Sequence, residues 1–246
     1  MHRTVLAVAV ALVAALVGCT TPMTASSPRE RSGLGTTWGE TRRSEVRLIS
    51  FERDDPMRPQ DVATLYYDDV AGVRALSGGA SVRERPDEAV ELAGGMLWVR
   101  VLDADGEPLP IYSRAGRRHV EGRDGERYTI EIANRSGHRV EAVATVDGLD
   151  VMNGRPGTFD NRGYILGPWS SFRVDGFRKN LEQVAAFRFG SVADSYAAQK
   201  GDASNVGVIG VAFFAERGVR RGLFDREAER RRGADPFPGA AFADPP

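Results

Sequence analysis

The stretch YTIEIANRSGHRVEAVATVDGLDVMNG, residues 128–154, decides the fold class. Tyr128, Ile130 and Ile132 alternate with Thr129, Glu131 and Ala133. That is the period of two expected of a strand with one buried face. Asn134, Arg135, Ser136 and Gly137 turn the chain, and residues 140–146 read as the next strand. Asp147-Gly148 then separates this strand from the apolar run 149–152, and Asn153-Gly154 closes it. A two-residue type I′ turn needs positive φ at both central positions, so Asp-Gly between apolar runs marks a hairpin.

Short strands continue on both sides. Downstream they cover 163–166, 169–174, 184–189 and 206–214. The last is apolar on both faces, which predicts a central, doubly covered strand. Gly207 and Gly210 within it mark a bulge or a close backbone approach. In 169–174, alternation puts Trp169, Ser171 and Arg173 on one face and Ser170, Phe172 and Val174 on the other, with Trp169 outward. Upstream, strands are expected at 96–102, 63–67 and 45–51, the last broken at Leu48-Ile49 by a bulge. Residues 77–95 are polar and Gly-rich and read as a connection.

Many short strands with Gly-containing turns predict a mainly β chain, an antiparallel β-sandwich or a partly closed barrel. The β-rich domain is placed at 45–216, where 45–93 is also readable as a smaller annex to a core over 94–216. A C-terminal helix is expected over 217–232, because Val219, Leu223, Phe224 and Ala228 share one helical face. A Pro- and Ala-rich tail follows to residue 246. The arginines of that helix are interleaved with Glu and Asp, so it reads as a solvated, ion-paired face.

The N-terminus specifies location. Arg3 precedes an unbroken apolar run over 5–17, too short to span a bilayer comfortably and right for a secretory signal. Leu16-Val17-Gly18-Cys19 follows, and this resembles the lipobox of bacterial lipoproteins. The resemblance implies a signal peptide over 1–18, cleavage at Gly18, and a diacylglycerol thioether on Cys19. Residues 19–44 become the lipidated cysteine and a flexible tether. Each buried methylene contributes about 0.8 kcal/mol, so two or three acyl chains hold a protein permanently. The expected location is the cell envelope, lipid-anchored on the periplasmic face. Thr20 stands where lipoproteins kept in the inner membrane carry Asp, which favours the outer membrane.

Cys19 is the single cysteine, so the fold has no disulfide, and thiolate zinc sites and thiol nucleophiles are excluded. A net charge of −1 supplies no global field to attract nucleic acid. Several stretches resemble a group of exported proteobacterial proteins and lipoproteins with no assigned activity. They are Thr37-Trp38-Gly39-Glu40, Val146-Asp147-Gly148, Gly163-Tyr164 with Pro168, Gly176-Phe177-Arg178, Ala185-Ala186-Phe187, Ser195-Tyr196-Ala197 and residues 205–212. The resemblance spans most of the mature chain and implies no catalytic residue and no cofactor.

No chemical motif stands out beside it. His119 and His138 lack the partners of a zinc site. No Gly-x-Ser-x-Gly elbow is present, and Ser195 has no lysine three residues on. Asp147, Asp150, Asp160, Asn153 and Asn161 could ligate calcium, but Asp and Asn in this pattern are what turns require. The densest binding chemistry is 164–178, with Tyr164, Trp169, Phe172, Phe177 and Arg178 around Pro168 and Gly176. Aromatic residues and Arg dominate interface hot spots, which makes Tyr164, Trp169 and Arg178 the candidate binding residues. The expectation is a non-catalytic envelope binding or structural module, without cofactor, metal or nucleic acid, facing a protein or glycan. The alternative is an envelope hydrolase whose site forms only on folding. A pocket joining His119 or His138 to a serine or carboxylate would mark it.

Overall fold

The computed structural model describes residues 31–76 and 89–219. Among the described residues fourteen strands form two facing sheets with no closed barrel, a β-sandwich. In chain order they begin with β1 Leu34–Arg43, β2 Asp61–Asp68, β3 Val90–Leu92, β4 Leu97–Leu102, β5 Ile111–Arg114 and β6 Arg117–Glu121. Next come β7 Arg127–Asn134, β8 Val140–Val146, β9 Leu149–Asp150, β10 Tyr164–Leu166 and β11 Ser170–Val174. The last are β12 Gly176–Arg178, β13 Gln183–Ser191 and β14 Val208–Ala215. Two short helices, α1 Val70–Leu76 and α2 Tyr196–Gln199, lie at the margins. None of the described helices is long and apolar enough to cross a membrane.

The first sheet runs β3-β4-β7-β13-β1. β11 and β12 form one run interrupted at Asp175. Its first half pairs with β7 and its second with β13, so it is wedged where those strands diverge. The second sheet runs β10-β8-β14-β2-β6-β5, with β9 folded back on β8. Pairing is antiparallel except for β2 with β6, which are parallel. Inward residues such as Leu65, Val99, Ile130, Ile132, Val146, Phe187, Ile209 and Phe213 form the core.

β14 lies between β8 and β2 and is covered on both faces. Ile209, Val211 and Phe213 enter the core, while Ala212 and Phe214 join Val143 on the opposite face. There the Arg53 guanidinium sits 3.7 Å from the Phe214 ring centre. Arg53 Nε donates to Glu141 Oε2 at 2.6 Å, and its other nitrogens donate to the carbonyls of Pro56, Phe159 and Asn161. Glu141 Oε1 accepts from Gly163 N–H at 2.7 Å. This buried pair fastens two loops onto the sheet.

The Asp147-Gly148 turn has φ of 54° and 77°, positive at both central positions as the hairpin requires. Its aspartate is also buried. Asp147 Oδ2 accepts from Thr36 N–H at 2.8 Å, and Oδ1 accepts from the Tyr67 hydroxyl at 2.5 Å and Gly207 N–H at 2.9 Å. Thr36 Oγ1 lies 2.7 Å from the Tyr67 hydroxyl and 2.6 Å from that of Tyr128. An ionised carboxylate only accepts, so Tyr67 donates to Asp147, Thr36 to Tyr67, and Tyr128 to Thr36. Burial raises the Asp147 carboxyl above its usual range, and the Tyr67 and Tyr128 hydroxyls well above theirs. The knot ties β1 of one sheet to β2 and the β8 turn of the other.

Four expectations change. Residues 34–43 were assigned to the tether but form β1, paired along β13, so the folded domain starts before residue 45. β1 is an edge strand with its second half in water, which permits the polar sequence TWGETRR. Residues 45–51 form no strand: Leu48 is 83% exposed, and the segment's main-chain pairing among the described residues is a single bond from Val46 N–H to Leu181 O, just before β13. Residues 45–93 do not form an annex, because β2 lies within the second sheet and buries Ala63, Leu65 and Tyr67. β3, β5 and β6 were unforeseen. Cys19, its signal peptide and all but the first three residues of the helix expected over 217–232 lie outside the described residues; residues 217–219 form a turn and a bend, not helix.

Candidate functional site

The outer face of the first sheet carries a shallow groove of about 570 Å³, bordered by Trp98, Arg100, Glu131, Arg135, Trp169 and Ser170. Strand alternation builds its floor. Leu97, Val99 and Val101 point into the core, so Trp98 and Arg100 point out. Register sets Trp98 opposite Ala133 and Ser171 beyond it, and places Glu131 between Arg100 and Arg173. Glu131 lies 3.9 Å from Arg100 Nη1 and 3.5 Å from Arg173 Nε, so one carboxylate serves two guanidinium groups.

Trp169 and Arg135 stand on two neighbouring turns clamped by one side chain. Asn134 Nδ2 donates to the carbonyls of His138 at 2.7 Å and Gly167 at 2.8 Å. Its Oδ1 accepts from Ser136 N–H at 3.0 Å and Ser136 Oγ at 2.7 Å. Trp169 N–H donates to Ser136 O at 3.2 Å. The Trp169 backbone is left-handed, φ 54°, and its ring is 65% exposed. Such a conformation costs a bulky residue about 1–3 kcal/mol and persists only where its surroundings impose it. The fold therefore spends stability to keep this ring in water.

The Arg135 guanidinium carbon sits over Trp98, 3.2 Å from the ring centre. Its side chain is exposed and makes no hydrogen bond or ion pair with a described residue. Trp98 Nε1 is buried without a hydrogen-bond partner. The ring contact thus places the guanidinium while leaving its five donors to solvent or a ligand.

The sequence-derived residues do not converge. Tyr164 is buried, its ring stacked on Phe172 with centres 4.5 Å apart. Arg178 Nε donates to the Tyr164 hydroxyl at 3.2 Å, and Nη1 donates to the carbonyls of Ser44 at 2.8 Å and Asn180 at 3.1 Å. Those two residues secure the exit of β1, whereas Trp169 borders the groove on the outer face. The alternation argument never used Trp98, although an outward Trp inside an apolar strand was the available signal. Arg135 was read only as a turn residue.

Among the described residues His119 makes no hydrogen bond to a serine or carboxylate. Its Nδ1 is buried without a hydrogen-bond partner, and burial with nearby Arg117 lowers its pKa. Among the described residues no group of three or more His, Cys, Asp or Glu could hold a metal. Asp150, weighed as a calcium ligand, uses Oδ1 to accept the N–H groups of Met152 and Asn153, the chemistry of a turn. Its Oδ2 is buried and unpartnered, and burial pushes its pKa up to about 6.

No protein-family model, curated protein or solved structure matches the chain. Function therefore has to be argued from the groove itself.

Proposed function

We propose that this chain is an envelope lipoprotein, anchored through lipid on Cys19, whose β-sandwich is a non-catalytic binding module. Its ligand seat is the groove between Trp98 and Trp169. The resemblance to exported proteobacterial lipoproteins and the Leu-Val-Gly-Cys sequence support the location. One observation carries the binding reading: a tryptophan held in a left-handed backbone, exposed, beside a second tryptophan capped by an arginine that has no hydrogen-bond or ion-pair partner among the described residues. Exposed large aromatics beside Arg are the usual anchors of recognition.

The anchor is tested by intact mass of the membrane-extracted protein, which should begin at an acylated Cys19. An unmodified chain beginning elsewhere contradicts it. The seat is tested by sedimenting the protein with isolated envelope material. Trp169→Ala should cut retention about tenfold or more, the loss of one interface anchor. Retention equal to that of the unaltered protein contradicts the seat.

A further inference from the structure

We infer that the groove takes an acidic polysaccharide, a chain of sugar rings bearing carboxylates. This rests on the groove reading above and adds the chemistry of the ligand.

The charges on this face decide the sign. Arg100, Arg135 and Arg173 face Glu131, and Glu91 pairs opposite Trp98 on β3. Glu131 is already shared between Arg100 and Arg173. Arg135 is left with no carboxylate partner among the described residues. A guanidinium held over a ring presents parallel N–H donors, the geometry that a carboxylate accepts in a bidentate pair. The surplus is local, because the whole chain carries a net charge of −1.

The floor decides the class of ligand. β7 is hydrogen-bonded to β4 and β11, and β4 to β3 and β7. No free edge is left on β4 or β7, the two floor strands, for a peptide to add as a further strand. Recognition on this floor goes through side chains. Trp169 offers an exposed ring face, Ser171 offers a hydroxyl, and Arg135 offers charge-paired donors. An aromatic face for the C–H side of a ring, a hydroxyl for its hydroxyls and an arginine for its carboxylate describe a uronic-acid sugar more closely than an acidic peptide. The groove is also open, so a long polymer can pass through it.

The test titrates the full-length protein in detergent with three probes: an oligogalacturonate, the neutral galactose oligomer of equal length, and poly-glutamate. Oligogalacturonate should bind at least about tenfold tighter than the neutral oligomer, one charge-assisted contact's worth. Arg135→Gln should remove most of that preference, weakening oligogalacturonate far more than the neutral oligomer. Trp169→Ala should weaken both sugars, and poly-glutamate should bind more weakly than oligogalacturonate. Equal binding of the two oligomers, no binding of oligogalacturonate, or a preference that survives Arg135→Gln overturns the inference. Poly-glutamate binding as tightly as the sugar overturns it in favour of an acidic protein partner. If Trp169→Ala still loses envelope retention in any of these cases, the groove reading stands and the acidic glycan alone falls. If Trp169→Ala changes nothing with any probe or with envelope material, both fall.

Discussion

Arg53 and Arg135 each lie on an aromatic ring, at 3.7 Å over Phe214 and 3.2 Å over Trp98, yet they stand in opposite situations. Arg53 is almost fully buried, and its nitrogens are divided between Glu141 and the carbonyls of Pro56, Phe159 and Asn161. Arg135 is exposed and has no hydrogen-bonding partner among the described residues. Where an arginine holds a fold together, its donors are consumed. Where it sits over a ring with its donors open, the fold does not need them. The same contrast separates the closed hydroxyl chain at Asp147 from the groove beside Trp169.

The comparison breaks first at Arg53. Arg53→Ala leaves Glu141 buried without a counter-charge and should cost about 3–5 kcal/mol in chemical denaturation. A change below about 1 kcal/mol would mean that the pair is not a fastening. Tyr67→Phe comes next, since it removes the donor to Asp147 and the acceptor for Thr36 together. It should cost about 1–3 kcal/mol, and an unchanged denaturation midpoint would show that the network is not closed as described.

Asp150 gives a smaller, pH-dependent effect. Burial lifts its folded-state pKa to about 6 from the 3.8 of a free aspartate, so the native state holds the proton more tightly than the unfolded chain does between those values. The stability it contributes is therefore present near pH 4 and is lost as pH rises through about 6. Asp150→Asn keeps an oxygen for the N–H groups of Met152 and Asn153 and removes the titration. Relative to the variant, the unaltered protein should lose on the order of 1–2 kcal/mol between about pH 4 and pH 7.5, read as diverging melting temperatures. Parallel pH profiles would contradict it. Trp169→Ala belongs at the bottom of the scale, within about 0.5 kcal/mol, because an exposed ring without buried neighbours supports little.

The sandwich was legible because its information is local. Alternation over 128–133 and the Asp147-Gly148 turn dictate backbone geometry directly, and apolarity on both faces of 206–214 marks a central strand. β1 was not legible, since an edge strand tolerates the composition of a tether, and only its pairing with β13 reveals it. Residues 45–51 fail the opposite way: a strand-like run forms no strand unless the topology supplies a neighbour along it. At the groove, Trp169 is exposed as the sequence suggested, but from a left-handed turn before β11 rather than through strand alternation. Its association with Trp98 and Arg135 could not be read, because it depends on β4, β7 and β11 becoming neighbours in register. Tyr164 and Arg178 looked like surface anchors because aromatic and Arg density is the same whether a ring faces water or Phe172.

The most direct measurement is calorimetric unfolding of Arg53→Gln and Arg135→Gln beside the unaltered protein. For a domain of this size 1 kcal/mol shifts the midpoint by about 2–4 °C. Arg53→Gln should lower the midpoint by on the order of 10 °C, while Arg135→Gln should stay within about 2 °C, as expected for loss of one exposed stacking contact. A fall for Arg135→Gln comparable to that for Arg53→Gln would make Arg135 part of the fold and leave no open arginine for a ligand.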